Sequence, residues 1–101
     1  NDCIKAWRAI GWCSFVSGKS EQAMRYYEKV LALKPIATDY LNAGHVALRL
    51  GNMEKAAELY GKAASESGNR ETFLDMFDKD KETLIKLGID ENDIPLIRDL
   101  V

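Results

Sequence analysis

The sequence predicts an all-α fold built from antiparallel helix hairpins, and three observations carry that prediction. Shifting the chain by 33 residues lays 4–36 over 37–69 with six identities: Gly11/Gly44, Gly18/Gly51, Glu21/Glu54, Ala23/Ala56, Tyr27/Tyr60 and Lys29/Lys62. Within each unit, apolar residues recur at three- and four-residue spacing, the period of a helix with one buried face. Between the periodic runs stand Gly18, Pro35, Gly51 and Gly68, at the places where helices have to stop.

The elements follow in order. Ile4, Trp7, Ile10 and Cys13, continued by Phe15 and Val16, make a first helix that ends at Gly18. Ser20 is read as the cap of the second helix, with Glu21 in its first turn, where a negative charge suits the dipole. That helix carries Ala23, Met24, Tyr27, Val30 and Leu31 and stops before Pro35. The second unit begins at Thr38 or Asp39, turns at Gly51, is capped again by Asn52 and ends at Gly68. Gly11 and Gly44 fall inside helices, where each costs about 1 kcal/mol relative to alanine. A cost repeated at one phase implies close approach of the partner helix, with Ala23 and Ala56 as the expected small counterparts.

A third helix pair does not follow. Asn69 caps a run over 70–87 in which Phe73 takes the phase of Trp7 and Tyr40. Phe77 then occupies the phase of the two interior glycines, so no partner helix can come close there. Residues 78–82 are all charged, as suits the solvated face of a terminal helix. After Gly88, residues 89–101 read as a turn and a short helix, capped by Asp93 and folded back through Ile94, Ile97 and Leu100.

The spacing Trp7-x2-Ile10-Gly11, then Ala23-x3-Tyr27, then Pro35, met again as Tyr40-x2-Ala43-Gly44 and Ala56-x3-Tyr60, resembles the tetratricopeptide repeat. Ser14 and Ala47 depart from that pattern, as does Gly68, which stands where a proline is expected. The resemblance implies a short right-handed solenoid of about five main helices and a short terminal one. Residues 4–36 and 37–69 form its repeats, and 70–101 its cap. Trp7, Tyr27, Tyr40 and Tyr60 are read as core residues, and because Ile4, Trp7 and Trp12 begin almost at once with no matching N-terminal cap, this would be the C-terminal segment of a longer array.

The resemblance also implies a function: a concave groove, lined by the first helix of each unit, that holds a protein or peptide. Carried over by position, the groove takes Lys5, Arg8, Trp12 and Phe15 from the first helix. Asn42, His45 and Arg49 come from the second unit, and Asp75 and Asp78 from the third. One wall is then basic and aromatic, the other acidic. The carboxylate clamp known in the family is not expected, because Trp12 replaces its first Asn and Glu71 and Asp75 replace cations. The alternatives are a structural cap, self-association through the N-terminal aromatic face, and a cradle similar to bacterial type III secretion chaperones.

Composition narrows the classes further. The net charge of −2 disfavours nucleic acid, although residues 1–51 carry +3 and residues 52–101 carry −5. No apolar run reaches membrane length. Cys3 and Cys13 are too far apart along one helix to bridge, fit a reducing, cytoplasmic setting, and are read as buried small hydrophobes. With one histidine and no glycine-rich phosphate loop, neither metal, cofactor nor catalysis is expected.

Overall fold

A computed structural model describes residues 2–101. Seven α-helices and one short 3-10 turn are found among the described residues, with no strand. They are α1 (Asp2–Val16), α2 (Ser20–Leu31), α3 (Ala37–Arg49), α4 (Met53–Glu66), α5 (Arg70–Lys79), α6 (Lys81–Lys86) and α7 (Ile94–Arg98). The molecule measures 36 × 30 × 22 Å. Each of the first five helices packs on the next in chain order, and α1 also meets α3. No helix among the described residues is long and apolar enough to cross a membrane.

The turns within both hairpins are alike. Gly18 and Gly51 adopt φ of +83° and +82°, a conformation that a Cβ would strain. In each, the next residue donates back to a helical carbonyl: Lys19 N to Ser14 O at 2.8 Å and Asn52 N to Ala47 O at 2.9 Å. Asn52 and Asn69 cap their helices as expected, accepting from Lys55 N and Thr72 N. Ser20 does not cap. It is the first helical residue, and Lys19 precedes it with no side-chain bond to the helix end. Similarly α3 starts at Ala37, and Asp39 serves from inside the first turn by accepting Ile36 N at 2.9 Å.

The interior glycines do admit a close neighbour, but not the one expected. A Cβ on Gly44 would lie 2.8 Å from the Tyr60 ring, and one on Gly11 would lie 3.0 Å from the Tyr27 ring. The glycines therefore make room for tyrosines; Ala23 and Ala56 are simply buried. Repeat identity continues at the rim, where Lys29 Nζ stands 5.6 Å from the Trp7 ring centre and Lys62 Nζ 5.9 Å from that of Tyr40. Trp7 and Tyr40 are accordingly half-buried rather than core residues.

The expected helix over 70–87 is broken at Asp80 into α5 and α6. Phe73 and Phe77, one turn apart, both point inward and are buried. Beyond the break Leu84, Ile94 and Ile97 close the core, whereas Leu100 stays 44% exposed and does not fold in. Asp93 makes no capping bond to α7; Asp90 instead caps the 3-10 turn Glu91–Asp93 ahead of it by accepting Asn92 N. The cap is pinned at its end by Arg70, whose Nε donates to Val101 O at 2.7 Å. Cys3 and Cys13 are exposed on α1, contrary to the expected burial.

Candidate functional site

Two adjoining depressions of about 410 and 450 Å³ form a groove across α1, α3 and α5. Trp12, Thr38 and Asn42 line both. Lys5, Arg8 and Asp39 complete one end, and Met76, Lys79 and Asp80 the other.

Of the residues placed there from the sequence, Lys5, Arg8, Trp12 and Asn42 line the groove. Phe15 and His45 do not: both are fully buried beneath it. Arg49 lies at the end of α3, lining a separate depression with Gly18, Glu21 and Leu50. Asp78 turns away to meet Arg98, with Nε to Oδ1 at 3.1 Å, and Asp75 is exposed outside the groove lining. The expected wall of Asp75 and Asp78 is therefore absent from the groove, whose acids are Asp39 and Asp80 instead. The cause is Phe77. With Phe73 and Phe77 both turned into the core, the flank of α5 that faces the groove carries Met76 and Lys79, spaced one helical turn apart.

Arg8 is held by structure. Its Nε and a terminal nitrogen donate to the two oxygens of Asp39 at 2.7 and 2.8 Å, a bidentate pair across 31 residues. Asp39 is nearly inaccessible and also accepts Ile36 N, so Arg8 neutralises a buried carboxylate and ties the first hairpin to the second. The side-chain bond to Asp39 raises the guanidinium pKa, so the charge is permanent.

Below the groove runs a train of rings. Trp12 meets Phe15 at 5.6 Å, Phe15 stacks on His45 at 6.4 Å, and His45 contacts Phe77 at 5.6 Å. Tyr60 packs edge-on against His45, Phe73 and Phe77. His45 is bonded at both nitrogens: Nδ1 lies 2.8 Å from Tyr60 Oη and Nε2 lies 2.9 Å from Asp80 Oδ2. A neutral ring with its proton on Nε2 satisfies both, donating to the carboxylate and accepting from the phenol. Burial lowers the His45 pKa, and the bond to Asp80 opposes this without overcoming it. The histidine thus has an orienting acid, which sequence reasoning missed, but it has no access for a substrate.

Tyr27 has the same place in the first hairpin as Tyr60 in the second, without a histidine to meet it. Its hydroxyl is buried and completes no hydrogen bond, although the Asn42 amide stands beside it. Burial raises the phenol pKa, so the group keeps its proton and is a donor in search of an acceptor. Tyr27 forms part of the groove lining. Among the described residues, no group of three or more His, Cys, Asp or Glu side chains could hold a metal ion.

Paired helices stacked about a groove of mixed polarity define a helical-repeat protein. The tetratricopeptide repeat family models match residues 4–36 and 40–70, more than half of the chain. The chain belongs to the tetratricopeptide repeat family, whose repeats are generally protein–protein interaction modules. No curated protein and no solved structure matches it.

Proposed function

We propose that the chain is a binding module that holds an extended or helical segment of another protein in the groove of Lys5, Trp12, Asn42 and Lys79. The observation that carries this reading is the Tyr27 hydroxyl. A buried donor without an acceptor costs about 1–3 kcal/mol, and a segment that bonds Asn42 and turns its amide oxygen onto the phenol would remove that cost. Trp12 and Met76 supply apolar contact on either side. Asp39 is neutralised by Arg8 and Asp80 spends an oxygen on His45, whereas no acid is within ion-pair distance of Lys5 or Lys79 among the described residues. The groove therefore favours a segment with an acidic or aromatic residue near Trp12. It gives no reason to expect basic residues opposite an acidic wall.

The test is peptide selection against the intact chain, followed by Asn42→Ala and Trp12→Ala. Neither side chain is needed for the Arg8–Asp39 pair. Both changes should lower affinity for a selected peptide by about tenfold with little change in thermal midpoint. Undiminished binding by both variants would remove the groove from the account. Arg8→Glu is unsuitable here, because it would leave Asp39 buried and repelled.

A second reading, a structural role within a longer helical stack, is favoured by a different observation. Ile10 and Cys13 correspond to Ala43 and Val46. The latter are fully buried on α3, against which α2 packs, whereas Ile10 is 39% exposed and Cys13 is exposed. The bare face of α1 fits an α2-like helix, from a preceding repeat or from a second copy. Ile10→Asp would then abolish an association visible by sedimentation, and would leave the groove unaffected.

A further inference from the structure

Away from the groove, a cleft of about 490 Å³ lies between α7 and the α3–α4 turn. Leu48, Met53, Ile89, Leu96 and Leu100 form its apolar walls, and Asp90 and Asp93 its rim. It shares no residue with the groove. Leu96 is 65% exposed, and Met53 and Leu100 are close to half exposed. Leu96 and Leu100 are four residues apart and line the cleft beside the buried Ile97. Solvent thus meets a cluster of bulky aliphatic groups where a polar residue would serve the fold equally well.

The charge around it is one-sided. Residues 88–101 contain Asp90, Glu91, Asp93 and Asp99 against the single base Arg98, which is already paired with Asp78. Among the described residues, none of those four acids has a cation within ion-pair distance. The nearby cation from another element is Arg49, whose guanidinium lies against Gly88 at one end of the cleft. An apolar floor with uncompensated carboxylates along one edge repels an acidic partner and attracts a basic one.

We propose that this cleft docks an amphipathic helix of a partner protein, with its aliphatic stripe on Leu96 and Leu100 and its Lys/Arg edge along Asp90 and Asp93. The site is independent of the groove and stands whether or not the groove binds.

The experiment titrates the full chain with a designed leucine–lysine amphipathic helix and with its leucine–glutamate counterpart, read by amide chemical shifts. The basic peptide should bind with shifts confined to residues 48–53 and 88–101, and the acidic one about tenfold or more weaker. Leu96→Asp, at an exposed position, should abolish binding while keeping the thermal midpoint. Asp90→Asn with Asp93→Asn should weaken it and flatten its salt dependence. Asn42→Ala should change nothing. Equal binding of the two peptides, shifts centred on Trp12 and Asn42, or insensitivity to Leu96→Asp would overturn the proposal. So would self-association that Leu96→Asp removes, which would assign the cleft to a second copy.

Discussion

Single residues show most clearly how much the repeat constrains and where its two copies diverge. Gly11 and Gly44 are equivalent in sequence and both face a tyrosine ring, but the rings are held differently. Tyr60 is bonded to His45 and wedged among Phe73 and Phe77, so it cannot give way. Tyr27 has only the neighbouring Asn42 amide beside its hydroxyl to restrain it. A methyl on Gly44 must overpack against a fixed ring at 2.8 Å, costing about 1–3 kcal/mol, while helix propensity returns about 1 kcal/mol in either case. Gly44→Ala is therefore expected to destabilise the chain, and Gly11→Ala to be close to neutral, in urea unfolding. Equal losses would mean that the two tyrosines are equally fixed. Arg8→Ala should cost about 2 kcal/mol by the same measurement, through the charge-assisted bonds to Asp39. Arg8→Lys should recover only part of this, because an ammonium cannot match both carboxylate oxygens. The glycine phase was legible from the sequence. What the glycines accommodate was not, since an identity shared by two helices says nothing about which side chain crosses between them.

At the scale of elements, α1 to α4 were readable because each is bounded by chemistry local to itself: a glycine at positive φ, an asparagine cap, a proline. The helix over 70–87 was misread because its break is not local. Asp80 sits at the junction of α5 and α6 and reaches back 35 residues to His45. The same long-range contacts explain the groove errors. Phe15 and His45 share a helical face with groove residues but sink into the aromatic train, and Asp75 and Asp78 were placed by a phase that Phe77 shifts. The junction has a pH consequence. His45 is buried neutral with a pKa below its ordinary value of about 6.5. Below that pH the unfolded chain binds a proton that the folded chain refuses, so stability is complete above it and falls as pH drops toward the folded value. The difference in unfolding free energy between the native chain and His45→Gln should therefore shrink between about pH 7 and 5. A constant difference would show that Asp80 compensates fully for burial.

For the whole molecule, the question is what holds an array of nearest-neighbour contacts together at its end. In such stacks stability is the sum of each unit and its interface with the next, so the last unit has the fewest neighbours and frays first. Here α4 is covered by Phe73 and Phe77 from α5, and these are closed over in turn by Leu84, Ile94 and Ile97. The cap is thus a second layer of core rather than only a polar face, which is why the fully charged run at 78–82 was a poor guide to its structure. Ile97 is 2% exposed and lies on a helix of only five residues, with little stability of its own. Ile97→Asp would place a charge in that layer and release α7, together with the Arg70 contacts to Arg98 and Val101. The hairpins of α1 to α4 keep their own interfaces, so they should persist. Amide exchange should become fast over residues 81–101 and stay slow in α3 and α4, with a lowered midpoint. Uniformly fast exchange would instead show that the cap and the repeats form one cooperative unit, in which the closing helices are as necessary to the fold as the tyrosines at its centre.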